Sequence, residues 1–261
     1  MARVKVITVS TTKGGAGKTT TSVHVAAGLA ANGHRVLLVD LDKQGHCATF
    51  LGIDPAPGLY DLLVKEQLLR ELVREVRPNL HLLPSNSDTV VAQDFARLKH
   101  AQADLLEKAV VEQATGYDYI VFDTIPQGLL QECAVYSADL IVVPAPVDYP
   151  GLDGAGQFEQ MVLNLEQQND LHPTAIRVVP MFVDRRTGDA RHNLELLQQK
   201  FGERVLPEVP MRTKMREAIA EGVTIYEFAP KEDIADIYHT ICQQILTLID
   251  QDTATEETVD G

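Results

Sequence analysis

Residues 13–20 read Lys-Gly-Gly-Ala-Gly-Lys-Thr-Thr and constrain this chain more than any other stretch. They follow an apolar, β-branched run at 4–9 and precede an alanine-rich segment at 19–32, after which Gly33 is placed as a left-handed helix stop. A glycine-rich turn between a buried strand and a helix start lets backbone N–H groups close around an anion. Lys18 adds a cation at that point, and the Thr19 hydroxyl can hold a divalent metal ion. The spacing is not that of the usual phosphate loop, because Gly14 and Gly15 lead directly into Ala16, Gly17, Lys18 and Thr19.

Acids close two further apolar runs. The run at 35–39 ends in Asp40-Leu41-Asp42-Lys43-Gln44-Gly45, and the run at 119–122 ends in Asp123. Continuous apolar runs are the mark of strands buried on both faces, and in doubly wound sheets ligands sit at the carboxyl ends of such strands. The expected fold is therefore α/β, a doubly wound, mostly parallel sheet flanked by helices. Further strands are expected at 80–83, 140–144 and 177–182 and a short one within 205–210. Helices are expected at 59–64, 68–76, 94–114, 152–168 and 231–249, with an irregular loop at 146–151. One domain is expected over 1–249; residues 250–261 carry five acids and no lysine or arginine and are expected to form a disordered tail.

With its second lysine, Lys13, the glycine turn resembles the deviant Walker A loop of the ParA/MinD group of P-loop ATPases. Residues 40–45 resemble that group's Asp-x-Asp-Pro-Gln motif, with Lys43 in place of proline. Residues 117–124 resemble its Walker B strand, followed here by Ile125-Pro126-Gln127 where the group usually has two prolines and a serine. The resemblance implies an ATP hydrolase with ATP and Mg²⁺ as cofactors. It places Lys13, Lys18 and Asp42 in catalysis, Asp42 helping to position the attacking water. Lys13, Gly14, Gly15, Ala16, Gly17, Lys18, Thr19 and Thr20 would hold the phosphates, Thr19, Asp40 and Asp123 the metal, and Asp184, Pro210 and Met211 the adenine. It also implies a nucleotide-sandwich homodimer in the ATP state, with Lys13 reaching the partner's ATP. The chain is most similar to short, Soj-like chromosomal members.

Charge qualifies what such a protein would bind. Lys plus Arg is 23 against 37 for Asp plus Glu, a net charge of −14, which argues against a generally adhesive nucleic-acid binder. The segment 185–216 is nevertheless locally basic, and Arg204, Arg212, Lys214 and Arg216 are the candidate contacts to nonspecific DNA. A ParB-like or cargo-adaptor protein would stimulate hydrolysis and release the DNA, serving chromosome or plasmid partitioning. Two alternatives stay open: positioning of a protein cargo, and a DNA-independent, nucleotide-switched scaffold or regulator. No apolar run reaches membrane-spanning length, no secretory signal is evident, and the acidic tail lacks the basic amphipathic helix of MinD-like proteins. The expected location is the cytoplasm, with nucleoid association in the ATP state. Cys47, Cys133 and Cys242 form neither a disulfide framework nor a metal pair in the sequence.

Overall fold

The apolar runs form the middle of one eight-stranded sheet in the computed structural model, which describes residues 3–169, 171 and 174–259, with side chains as far as 251. In chain order the elements are β1 (Lys5–Val9), α1 (Lys18–Ala31), β2 (Val36–Asp40), α2 (His46–Phe50), α3 (Gly58–Leu63), α4 (Leu69–Leu72), β3 (Arg74–Arg77) and β4 (Leu80–Leu83). Next come α5 (Thr89–Leu98), a π-helical turn Glu107–Val111, β5 (Tyr119–Asp123), α6 (Leu129–Tyr136), β6 (Leu140–Pro146) and α7 (Tyr149–Asn169). The chain then runs through β7 (Ala175–Val183), α8 (Gly188–Phe201), β8 (Val209–Pro210), α9 (Thr213–Ala220), α10 (Ile225–Phe228) and α11 (Asp233–Val259).

The strand order is β3-β4-β2-β5-β1-β6-β7-β8, and every neighbouring pair is parallel except β3 and β4. Residues of β2, β5 and β6 are all buried, as their unbroken apolar character requires of strands covered on both faces. One face packs against α1, α9, α10 and α11, through residues such as Val25, Leu29, Met215, Ile225 and Tyr238. The other packs against α3, α6 and the π-helical turn around Leu59, Phe122 and Leu130, and against α7 and α8 around Phe158 and Leu197. β5 lies between β1 and β2 with Val9 and Asp40 both in register with Asp123, so the glycine loop and both strand-closing acids meet at one edge.

The structure corrects several boundaries. The helix expected at 68–76 is the single turn α4 followed by β3, an antiparallel edge strand whose Arg74 and Glu75 are exposed, as suits an edge. The helix expected over 94–114 starts earlier and breaks: α5 ends at Leu98, His100 takes φ 52, and a separate π-helical turn follows. α7 begins at Tyr149 inside the expected loop, because the Asp148 carboxylate accepts the Gly151 N–H at 2.7 Å and caps the start. α8, capped by Thr187 accepting the Ala190 N–H, follows β7 where no helix was expected. α11 continues beyond 249 to Val259, so most of the segment expected to be disordered is helical. No glycine or proline interrupts that stretch, and extending a formed helix is far easier than nucleating one.

Below the glycine loop, α1 is anchored to the C-terminal helices by His24. Its Nδ1 donates to the Thr20 carbonyl at 2.7 Å, and its Nε2 accepts the Ile225 N–H at 3.0 Å, a pairing that requires the neutral ring. Complete burial pushes this imidazole down to about 4, against an ordinary 6.5. The stabilisation is therefore full above pH 6.5 and lost as pH falls toward 4, a span worth about 3 kcal/mol. Urea titrations of wild type and His24→Gln between pH 7.5 and 4 should show the wild-type advantage shrinking by that order as the pH falls. Parallel pH curves for the two proteins would contradict the assignment.

Candidate active site

The glycine loop turns because two of its residues leave the right-handed region. Gly15 has φ 70 and Gly17 φ 92. The φ of Gly17 strains any other residue there, and a Cβ would also stand 2.7 Å from Met181 Cε and push that side-chain tip aside. α1 begins immediately afterwards and points its N-terminal N–H groups and positive dipole end into the loop. Lys18, 8% exposed, folds back so that its ammonium donates to the Lys13 carbonyl at 3.2 Å. Burial holds this ammonium below its ordinary range, opposed by the charges of Asp123 and Asp42. Lys13 is not turned into its own loop: its ammonium is 2.9 Å from Asp148 Oδ1, at the start of α7.

Asp40 and Asp123, paired across β2 and β5, are completely buried. Asp123 accepts the Thr19 hydroxyl at 2.8 Å on one oxygen and the Ser22 hydroxyl at 2.8 Å on the other. Thr19 and Ser22 are three residues apart on α1 and so share a face. Asp40 accepts the backbone N–H groups of Asp42 at 2.9 Å and Cys47 at 3.0 Å. Burial pushes both carboxyls upward, and for Asp40 the charge of Asp123 adds to the effect. Two adjacent acids out of water, with a hydroxyl beside them, fit a divalent cation, which would remove that penalty.

Asp42 sits half-buried in the loop after β2, where its carboxylate accepts the Gln44 N–H at 3.0 Å and its carbonyl accepts the Ser85 hydroxyl. Lys43 is exposed. The two departures from the family pattern meet here: Asp42 and Lys43 face Pro126 and Gln127 across a groove of about 390 Å³ that is also lined by Val90 and Arg97 of α5. The loop start is tied to the β5 end by buried hydrogen bonds, with Gln131 Nε2 and Thr124 Oγ1 both 2.9 Å from Ser10 Oγ.

At the other end of the loop lies an apolar groove of about 310 Å³ between Thr20, Met181, Phe182, Pro210, Met211 and Met215. Pro210 and Met211 are thus brought to the site, Met211 with 56% of its surface exposed. Asp184 lines the adjoining groove, but Arg186 occupies both of its oxygens and pulls the carboxyl down to about 2. Arg212 and Arg216 line these grooves, with Lys214 between them at the start of α9, whereas Arg204 lines a separate groove with Lys5, Asp139 and Ala175 at the amino ends of the strands. Three of the four are in ion pairs: Arg204 with Glu159 at 2.5 Å, Arg212 with Asp233, and Lys214 with Glu217 at 2.9 Å. Arg216 is exposed and has no ion pair among the described residues.

Ser22, Cys47, Asp148 and Phe182 are site residues that sequence reasoning missed. Only Ser22 had a local signal, its helical spacing from Thr19; the others reach the site through tertiary packing.

The order of these parts along the chain and around the sheet is that of a P-loop nucleotide hydrolase. The AAA domain family matches residues 4–173. The chromosome-partitioning ATPase Soj of Thermus thermophilus is 34% identical over 256 residues, 96% of this chain and 98% of that protein. The sporulation initiation inhibitor protein Soj of Bacillus subtilis is 30% identical over 92% of this chain and 98% of its own length. An ATP complex of Cyanothece McdA superposes with a TM-score of 0.85 at 20% identity, covering 95% of this chain and 98% of that one, and so shares the fold. The chain belongs to the ParA/Soj family of P-loop ATPases. It is an ATP hydrolase.

Replacing Lys18 by alanine removes the cation that faces both the loop and the buried acids. ATP affinity measured calorimetrically should fall by on the order of 100-fold, the scale of a lost charge-assisted contact. An unchanged affinity in a folded Lys18→Ala protein would remove Lys18 from the phosphate site.

Proposed function

We propose that this chain is a partitioning ATPase whose ATP-bound homodimer holds nonspecific DNA and releases it on hydrolysis. The observation that carries the reading is the edge where the glycine loop, Lys18, Thr19, Asp40 and Asp123 meet, with Lys13 directed away from its own loop. The loop N–H groups and Lys18 bind the β- and γ-phosphates, and Thr19, Asp40 and Asp123 hold the metal. When bound there, such a metal would supply positive charge that offsets that of the phosphates. Asp42 orients the attacking water, a positioning role that needs little covalent chemistry. Lys13 exchanges Asp148 for the partner's phosphates, which makes dimerisation depend on ATP. Pro210 and Met211 flank the base on apolar surface, whereas Asp184 contributes through Arg186.

Chromosome partitioning is the task named for the Thermus relative, and DNA as the surface bound follows from it. Arg216 is the strongest of the four candidate contacts, since Arg204, Arg212 and Lys214 must first leave acidic partners. That pairing, together with the net charge of −14, favours a second reading in which the switch acts on a protein partner without DNA. A ParB-like or cargo-adaptor protein that stimulates hydrolysis fits either reading. Among the described residues no helix is long and apolar enough to cross a membrane, and nucleoid association in the ATP state is the location this reading implies.

Purified Asp42→Ala protein, mixed with random-sequence duplex DNA across a salt series, separates the two. With ATP it should form dimers and bind DNA with an affinity that falls steeply with salt; with ADP it should not, and adding Arg216→Glu should weaken binding uniformly across sequences. Dimers that ignore DNA at low salt would establish the DNA-independent reading. Monomers at saturating ATP would overturn the sandwich mechanism itself.

A further inference from the structure

The metal end of the site contains a third donor that phosphate-loop chemistry leaves unused. Cys47 Sγ lies 3.3 Å from Asp123 Oδ2, and the sulfur and one oxygen from each of Asp40 and Asp123 all lie within 4.8 Å of one another. All three residues are completely buried. Donors around one ion, at about 2.0–2.2 Å for carboxylate oxygen and about 2.3 Å for thiolate sulfur, stand on the order of 3–4 Å apart, which this cluster can meet with little movement.

Local backbone geometry puts the sulfur there. Gly45 takes φ 63 and starts α2, turning the chain so that the Cys47 N–H reaches back to Asp40. A Cβ on Gly45 would meet Pro55 Cβ and the Ser85 carbonyl at 2.7 Å, so the turn is fixed by close packing. The other two cysteines have different surroundings: Cys133 and Cys242 direct their sulfurs at backbone carbonyls or Tyr226, not at carboxylates.

Sulfur changes which ion such a set prefers. Mg²⁺ takes hard oxygen donors and keeps much of its water, whereas Zn²⁺ and Co²⁺ gain from thiolate. We propose that Asp40, Cys47 and Asp123 form a binding site for a thiophilic divalent cation of the Zn²⁺/Co²⁺ class in the nucleotide-free protein. This rests on the metal assignment of the two acids above and adds Cys47 as a ligand. On binding, the Cys47 thiol proton leaves to solvent and a sulfur lone pair forms the metal bond, with no change of oxidation state. An ion held there keeps both acids from the Mg²⁺ that accompanies ATP, so the supply of soft metal sets how much protein enters the ATP cycle.

The test is a Co²⁺ titration of reduced, untagged, full-length protein without nucleotide, beside a separate Mg–ATP binding measurement. A sulfur-to-cobalt charge-transfer band should rise and saturate at one equivalent, and X-ray absorption on the wild-type complex should show one sulfur neighbour at about 2.3 Å. Cys47→Ser should lose the band while keeping a cooperative unfolding transition. The X-ray measurement needs no variant and decides the point if Cys47→Ser fails to fold. Protein that binds Mg–ATP but shows neither band nor sulfur neighbour overturns the inference and leaves the nucleotide reading standing, as does a band unchanged in Cys47→Ser. Protein that shows the band but does not bind Mg–ATP upholds the cation site and overturns the nucleotide reading.

Discussion

Two carboxylates closing adjacent parallel strands without water around them set the terms for this site. The burial of Asp40 and Asp123 disfavours their charged forms, and the charge of Asp123 counts further against that of Asp40. Hydrogen bonds from Thr19, Ser22 and the Asp42 and Cys47 N–H groups oppose this, at roughly 1.5–3 kcal/mol for each contact to a charged group. Lys18 has the complementary difficulty, an ammonium taken out of water that the acids only partly offset. Neither imbalance is resolved by protein groups alone. On the proposed assignment, a divalent cation beside the acids and a polyphosphate beside Lys18 would resolve both, each offsetting the charge that the other brings.

The sheet order turns that local condition into a site. Inserting β5 between β1 and β2 brings Thr19 to Asp123 across 104 residues of sequence. The elements that accomplish this were legible: β1, β2 and β5 are unbroken apolar runs, and their closing acids and glycines are local patterns. Less legible were the residues whose role depends on a neighbour from elsewhere in the chain. Cys47 looked isolated in the sequence because its partners lie 7 and 76 residues away. Asp148 carried no signal because its meaning comes from Lys13, 135 residues distant. The helix boundaries at α5 and α7 were misplaced for a related reason. An apolar stripe locates a buried face, but side-chain caps and left-handed residues such as His100 decide where the helix stops.

Charge shows the same division between composition and arrangement. The basic stretch at 185–216 is real in sequence, yet the fold sets acids against it: Glu208 on Arg185, Asp184 on Arg186, Asp233 on Arg212 and Glu217 on Lys214. Such exposed pairs are worth only about 0–1 kcal/mol and are screened by salt, so an incoming phosphate can displace the acid at little cost in pairing energy. What the acids remove is the long-range attraction that would concentrate a polyanion near the surface. On the proposed DNA-binding reading, such a surface would gather little DNA as a monomer, and doubling the face in a dimer would multiply weak contacts without raising the charge of either copy, so that retention would depend on the state that pairs the two chains.

Phe182 shows how tightly the loop and the far side of the sheet are fitted together. It is a bulky residue in the left-handed region, φ 60, at a point where the pairing of β7 with β8 shifts register between Met181 and Val183. Such a backbone costs on the order of 1–3 kcal/mol and persists only where its surroundings over-determine it. Here they do. Met181 and Val183 remain buried on either side, and the Phe182 ring and the Met181 tip lie over Gly17, where a Cβ would stand 3.4 Å and 2.7 Å from them. The bend in β7 thus places apolar surface against the phosphate loop at a residue whose own φ of 92 favours glycine.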